Sequence, residues 1–173
     1  MNASAARMGY ADFTRIAPAA NAALLALSKS ASAAGLERDL LELVKLRASQ
    51  INGCAFCVQF HLNMARQFKV AAEKLDLVAA WREAGIYAPR EMAALAWTEL
   101  LTRLPAEGVS DQAYAAARLE FSDSELAFLT AAIGAVNVWN RLGGAFRCAP
   151  PIPQTAAESA AGANLVTRPR RRY

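Results

Sequence analysis

Apolar residues recur at intervals of three and four positions along most of this 173-residue chain. In the segment LERDLLELVKLRASQI, for example, Leu40, Leu43, Val44 and Leu46 fall on one side of a helix. No stretch shows a convincing strand-like alternation of apolar and polar residues. The pattern therefore predicts an all-α protein, folded as a single-domain bundle of several helices.

Proline, glycine and capping residues divide this pattern into separate helices. Pro18 fits the first position of a helix that ends near Gly35, and Asn52-Gly53 breaks the next helix. Ser122 and Glu125 form a capping-box pattern before the last long helix. Helices are predicted over residues 18–35, 36–51, 54–68, 71–85 (which can be split in two), 89–104, 111–121 and 123–142.

Length and composition are those of one globular domain. Apolar residues make up 55% of the chain, which is incompatible with wholesale disorder. The longest apolar run, residues 127–139, is too short to cross a bilayer. The N-terminal stretch MNASAARMGYADF lacks the apolar region of a signal peptide. We therefore expect a soluble, cytoplasmic protein that has no membrane partner.

The excess positive charge is concentrated at the C-terminus. Residues 151–173 contain one acid, Glu158, and four arginines: Arg168, Arg170, Arg171 and Arg172. The remaining chain carries 15 basic and 14 acidic residues, so it offers no electrostatic case for nucleic-acid binding. We assign residues 1–150 to the helical domain and residues 151–173 to a flexible basic tail.

The stretch NGCAFCVQFH contains two of the three cysteines and the only histidine. Cys54, Cys57 and His61 share one face of the predicted helix because three and four positions separate them. Cys54 lies at the helix start, where free N–H groups stabilise a thiolate. His61 can act as a base for Cys57, and two cysteines in one turn can close a disulfide after oxidation to sulfenic acid. The arrangement suits reversible thiol redox chemistry.

Two other interpretations of these residues remain. In the first, a zinc ion would be bound by two cysteine sulfurs and one histidine nitrogen, with water or Cys148 as the fourth ligand. The chain has no second Cys-x-x-Cys and no histidine pair to support such a site. Alternatively, the thiols are small buried side chains and the histidine is a core residue with satisfied hydrogen bonds. The preferred interpretation includes neither a metal nor another cofactor.

The segment ELVKLRASQINGCAFCVQFH, residues 42–61, resembles the signature of the alkylhydroperoxidase D family, within the carboxymuconolactone decarboxylase superfamily. That signature is Glu, then Ser and Asn, then Cys-x-x-Cys-x-x-x-His. The matching residues are Glu42, Ser49, Asn52, Cys54, Cys57 and His61. The later stretch NVWNRLGGAFR, residues 137–147, is similar to the closing helix of single-domain members. The resemblance implies an alkylhydroperoxidase D-like fold in which Glu42 reaches the thiols from the preceding helix.

The resemblance also implies a thiol-dependent peroxidase. Glu42 would polarise His61, which would help to deprotonate Cys57. Cys57 would attack a hydroperoxide and become a sulfenic acid, Cys54 would resolve it as a disulfide, and an external dithiol would reduce the pair. A homo-oligomer, a trimer or a hexamer, is implied as well. One departure is Phe56, which stands where some members carry a further histidine.

Several assignments stay open at this stage. The helix-start position favours Cys54 as the thiol of lower pKa, whereas the resemblance favours Cys57 as the attacking thiol. Glu42 can instead be a surface acid paired with Arg38 or Lys45. We expect structural roles for the signature serine and asparagine.

Two rival functions stay open. The first is a decarboxylase or lactone-ring lyase, but superfamily members with that activity generally lack the paired cysteines. The second is a non-enzymatic thiol redox sensor.

The last helix carries a cluster of polar residues, Asn137, Asn140 and Arg141. They would either line a substrate entrance or form hydrogen bonds within the helix end.

Overall fold

The computed structural model describes residues 6–153, and all regular secondary structure within that range is helical. The protein is therefore all-α, as predicted. A 3-10 turn, Val78–Ala80, separates α5 from α6. The helices are α1 Tyr10–Ile16, α2 Pro18–Ala33, α3 Arg38–Ile51, α4 Ala55–Gln67, α5 Ala72–Leu77, α6 Trp81–Ala84, α7 Pro89–Arg103, α8 Asp111–Arg118 and α9 Asp123–Phe146.

Three helices, α2, α8 and α9, begin at the predicted residues 18, 111 and 123. Pro18 is the first residue of α2. The Ser110 hydroxyl accepts a hydrogen bond from a backbone N–H in the first turn of α8, and Ser122 and Glu125 form the predicted capping box of α9. The segment 71–85 is split by the 3-10 turn. Local capping chemistry therefore marks the starts of α8 and α9.

The helix predicted over residues 111–121 ends at Arg118, and two parts of the fold differ more from the sequence-based prediction. The first is α1, which was not predicted because it has only seven residues and buries a single side chain, Phe13. The second is α9, which was predicted to end at residue 142 but continues to Phe146. Gly143 and Gly144 weaken the helical signal there because glycine has a low helix propensity.

The central element is α3, which packs against α4, α7 and α9, while α2 covers another side of α9. One hydrophobic cluster joins α2, α3, α7 and α9 around Leu41 and Ile133. A second joins α3 to α4, α5, α6 and α7 around Leu46 and Leu95. This packing brings the end of α3, the start of α4 and the last turns of α9 together.

No helix among residues 6–153 is long and apolar enough to cross a membrane. Of the predicted basic tail, only residues 151–153 belong to the described part of the chain. The four tail arginines lie outside the described residues.

Candidate active site

The two signature cysteines meet at the first turn of α4. Cys54 is the N-cap residue, and its Sγ accepts a hydrogen bond from the backbone N–H of Cys57 at 3.3 Å. The two Sγ atoms lie 2.7 Å apart, both residues are buried, and both thiols are free. The predicted position of Cys54 at the helix start is confirmed. Since a disulfide has an S–S distance of about 2.05 Å, only a small movement separates the thiols from a bond.

The Cys54 and Cys57 thiols differ in acidity because a hydrogen bond joins their sulfur atoms. The hydrogen bond from the Cys57 side chain, together with the backbone N–H groups of Cys57 and Phe56, lowers the pKa of Cys54 to about 7 in spite of burial. The same hydrogen bond, then burial, raises the pKa of Cys57, and a hydrogen bond from the Asn140 amide partly opposes this rise. The pair therefore reaches a monothiolate state near neutral pH, with one proton held between the sulfurs.

Glu42 projects from α3 and is 5% exposed, so it is not a surface acid. Its Oε2 lies 2.7 Å from His61 Nδ1, and its Oε1 accepts a hydrogen bond from Lys45 Nζ at 2.9 Å. Burial raises the pKa of Glu42, but the contacts with His61 and Lys45 outweigh burial and lower it overall. Glu42 is thus a carboxylate that contacts both His61, its predicted relay partner, and Lys45, its predicted alternative partner.

The charge on Glu42 determines the orientation of the imidazole proton. A carboxylate only accepts hydrogen bonds, so His61 Nδ1 donates to it and Nε2 of the neutral ring carries the lone pair. Within residues 6–153 no buried side-chain nitrogen or oxygen lacks a partner. His61 also lines a large cavity of about 630 Å³, whose walls come mainly from α1, α2, α4 and α9. No direct hydrogen bond joins His61 to Cys57 in this part of the chain. A proton passing between them therefore needs an intermediate oxygen atom.

A polar network fastens α9 to the end of α3 beside the thiols. The Asn140 amide donates to Ser49 Oγ at 3.0 Å, and its oxygen accepts from the Asn52 amide at 2.8 Å. Asn52 also donates to Asn137 Oδ1 at 2.9 Å. Because none of these asparagines lines the large cavity, the structure favours the hydrogen-bonding alternative over a substrate entrance. The expected structural roles of Ser49 and Asn52 agree with these contacts.

Gly143 brings the α9 backbone directly against the two sulfurs. A Cβ atom at this position would lie 2.7 Å from Cys54 Sγ and 3.4 Å from Cys57 Sγ. The first distance is shorter than any normal contact, so a side chain here would displace the thiol or the helix. The Gly143-Gly144 pair within a long apolar helix was the available sequence signal for such a close approach.

A cavity of about 630 Å³ borders the site. Cys57, His61 and Glu42 line it, whereas Cys54 is absent from the lining. The walls are mainly aromatic and aliphatic, formed by side chains of α1, α2, α4 and α9: Tyr10, Phe13, Leu25, Phe56, Phe60, Met64, Phe68, Val136, Trp139, Leu142 and Phe146. The arrangement exposes one thiol, with a basic nitrogen nearby, to an apolar compartment of ligand size.

The third cysteine also reaches this cavity but bonds elsewhere. Cys148 lines the cavity, and its Sγ donates to the backbone oxygen of Met8 at 3.6 Å. Across residues 6–153, no three or more His, Cys, Asp or Glu side chains are grouped so as to hold a metal ion.

Comparison with known proteins adds to these observations. Residues 18–100 match the carboxymuconolactone decarboxylase family. The chain is 32% identical over 130 residues to the uncharacterised protein YdfG of Bacillus subtilis. This match covers 75% of this chain and 88% of YdfG. It is 37% identical to the crystal structure of ATU0492 from Agrobacterium tumefaciens, a protein of unknown function proposed to be the antioxidant defence protein AhpD. That match has a TM-score of 0.79 and covers 86% of this chain and all of ATU0492.

A more distant structure shares the fold alone. The debrominase Bmp8 is 19% identical, with a TM-score of 0.68 over 83% of this chain and 75% of Bmp8.

The fold and the site assign this molecule to a class of helical proteins that carry a free dithiol beside a Glu–His pair. The chain belongs to the carboxymuconolactone decarboxylase family, in its alkylhydroperoxidase D-like group. The predicted family is confirmed.

Proposed function

We propose that the protein is a thiol-dependent peroxidase that reduces hydroperoxides through Cys54 and Cys57. The observation that carries the proposal is a pair of free thiols 2.7 Å apart, of which only one faces the apolar cavity. A Glu42–His61 pair lines the same cavity. A nucleophile, a resolving thiol and a proton carrier are the groups that peroxide reduction by thiols requires.

In the proposed first step, the attacking thiolate is Cys57, because Cys54 does not reach the cavity. The proton of Cys57 passes to Cys54 across the short S–S contact, or to His61 Nε2 through a substrate or water oxygen. The sulfur of Cys57 then attacks the terminal peroxide oxygen, and the O–O bond breaks. The products are the Cys57 sulfenic acid and an alkoxide, which takes the transferred proton back from Cys54 or His61 and leaves as the alcohol, so that Cys54 is again a thiolate.

In the proposed second step, the Cys54 thiolate attacks the sulfenic sulfur and hydroxide leaves, to be protonated to water. An external dithiol then reduces the Cys54–Cys57 disulfide and is itself oxidised to a disulfide. The peroxide thus gains the two electrons that the dithiol loses. Glu42 acts by holding the His61 ring and stabilising it while protonated. No cofactor takes part.

The family name and the Bmp8 comparison indicate that this fold supports more than one reaction. The decarboxylase or lactone-ring lyase alternative assigns no task to the dithiol, so the paired cysteines favour the peroxidase. A non-enzymatic sensor would also oxidise its thiols, but it would consume only one equivalent of peroxide per dithiol. Turnover number separates these functions.

The test is steady-state consumption of cumene hydroperoxide with dihydrolipoamide as the reductant. We expect many turnovers in the wild type and loss of turnover in Cys57→Ser. The matched control is Cys148→Ser, which removes a thiol that lines the same cavity but has no role in the proposed cycle. Turnover that survives in Cys57→Ser would reject the proposed chemistry. One equivalent consumed by the wild type would favour the sensor.

A further inference from the structure

The charged groups around the cavity are unbalanced toward positive. Its lining contains one carboxylate, Glu42, and three cations, Lys29, Arg38 and Lys45. Lys45 is paired with Glu42 at 2.9 Å. Neither Lys29 nor Arg38 forms an ion pair or a side-chain hydrogen bond with any other residue in the range 6–153. Two cations at the cavity are therefore available to a ligand.

The nearest acids in the sequence do not neutralise Arg38. Glu37 pairs with Arg90 on α7 at 3.0 Å, and Asp39 accepts a hydrogen bond from the Leu40 backbone N–H. The guanidinium of Arg38 instead lies 5.7 Å from the centroid of the Phe68 ring, which is part of the cavity wall. This cation–π contact holds the charge at the cavity while its N–H groups remain free.

The rest of the lining is mainly apolar. Five phenylalanines and Trp139 contribute to it, with Phe56 and Phe60 stacked at 6.3 Å and nearly parallel. Such walls favour a hydrocarbon or aromatic body, because burying apolar surface on both sides is the main source of affinity. A ligand that satisfies walls and cations together carries an apolar body and an anionic group.

We infer that the cavity binds amphipathic monocarboxylates, with the carboxylate at Lys29 and Arg38 and the apolar body against the aromatic walls. As a statement about substrates, this inference rests on the proposed function: the preferred hydroperoxides would be those of organic acids, with the peroxide group at Cys57. As a statement about binding, it stands on the lining alone. Lys29 and Arg38 are then specificity-determining residues.

The binding test compares two unreactive probes of equal chain length, decanoate and 1-decanol, by isothermal titration calorimetry on the intact wild-type chain. We expect decanoate to bind at least about fivefold more tightly than 1-decanol.

The double variant Lys29→Gln/Arg38→Gln tests whether the two cations cause this difference. Each exposed ion pair typically changes affinity by about 1.4- to 5-fold, so the double variant should bind decanoate about fivefold more weakly and bind decanol as the wild type does. In wild type, 0.5 M NaCl should likewise weaken decanoate alone, since both cations are exposed.

The control variant is Arg66→Gln, which removes an exposed arginine of α4 that does not line the cavity. It should bind both probes as the wild type does. Equal affinity for decanoate and decanol in the wild type would overturn the inference, as would a decanoate preference that persists in the double variant. If decanoate does not bind, for example because a second copy of the chain fills the cavity, the inference is overturned as well.

Turnover separates this inference from the proposed function. Linoleic acid hydroperoxide and its methyl ester carry the same peroxide group, and the acid should have the higher kcat/KM in the wild type but not in the double variant. If neither is consumed while decanoate still binds selectively, the peroxidase proposal fails and the anion site stands. If both are consumed equally, the anion preference fails and the peroxidase stands.

Discussion

The absence of a side chain at residue 143 sets how closely α9 approaches the thiols. A Cβ there would meet Cys54 Sγ at 2.7 Å, whereas a Cβ at the neighbouring Gly144 would meet nothing within 4 Å. Cys54 cannot move aside freely, because it is also the N-cap of α4 and accepts from the Cys57 backbone N–H. Gly143 is thus a positioning residue for the pair.

Gly143→Ala is expected to impair the thiol site, and Gly144→Ala is its matched control. The first substitution forces the Cys54 sulfur or α9 to shift, so the rate of disulfide formation after one equivalent of peroxide should fall by roughly tenfold or more. The second lies on an exposed turn of the same helix and should stabilise the fold by about 0.5–1 kcal/mol. Stopped-flow tryptophan fluorescence and thermal unfolding measure the two effects. Equal disulfide rates in both variants would contradict the positioning role.

The acidity of Cys54 gives a prediction about pH. Its pKa is lowered to about 7, with the hydrogen bond from Cys57 as the largest cause. Thiolate absorbance at 240 nm in a Cys148→Ser background should therefore rise as the pH increases through 7. In Cys57→Ala the same transition should move to higher pH, because the main stabilising donor is lost. A transition that stays near 7 in that variant would assign the acidity to the helix N-terminus alone.

At the scale of elements, α9 supplies groups that the signature segment lacks. Asn140 joins α9 to Ser49 and Asn52, and its amide also contributes a hydrogen bond that lowers the pKa of Cys57. Asn137 lies one turn earlier, bonding to Asn52 and Thr102. Asn140 therefore affects the acidity of Cys57 as well as the packing of α9, whereas the bonds of Asn137 serve the packing.

This difference allows a comparison of Asn140→Ala with Asn137→Ala. Both should lower the free energy of unfolding by about 1–3 kcal/mol, because each removes the hydrogen-bond partner of a polar group in the core. Only Asn140→Ala should slow formation of the sulfenic acid, since it removes a donor that stabilises the Cys57 thiolate. Urea unfolding and single-turnover peroxide consumption provide the two measurements. If both variants slow the chemistry to the same extent, the effect comes from packing and not from the amide.

For the molecule as a whole, the sequence predicted those features that depend on local spacing. The helices, their caps and the shared face of Cys57 and His61 follow from positions close in the chain. Glu42 lies on another helix, so only the family resemblance linked it to His61. Gly143 and the two cavity cations Lys29 and Arg38 were not identified as site residues. Helix packing, which the sequence pattern does not specify, brings Gly143 against the thiols and both cations to the cavity.

The oligomeric state remains a prediction from the family resemblance. Tyr10 and Phe60 line the cavity and yet are 41% and 43% exposed, which is consistent with a covering subunit. We expect a homo-oligomer with three or six times the chain mass of 18.5 kDa. Multi-angle light scattering after size-exclusion chromatography measures this directly, and a monomeric mass would reject it.

The absence of Cys54 from the cavity lining has a consequence for reduction of the disulfide. Since Cys57 is the member of the pair that lines the cavity, an incoming dithiol in the proposed cycle must attack the Cys57 sulfur and expel Cys54. Cys54 is a suitable leaving group because thiols of low pKa depart more rapidly. Oxidant and reductant would then react in turn at the same sulfur through the same entrance, so a large excess of either should inhibit the other, as in a ping-pong enzyme.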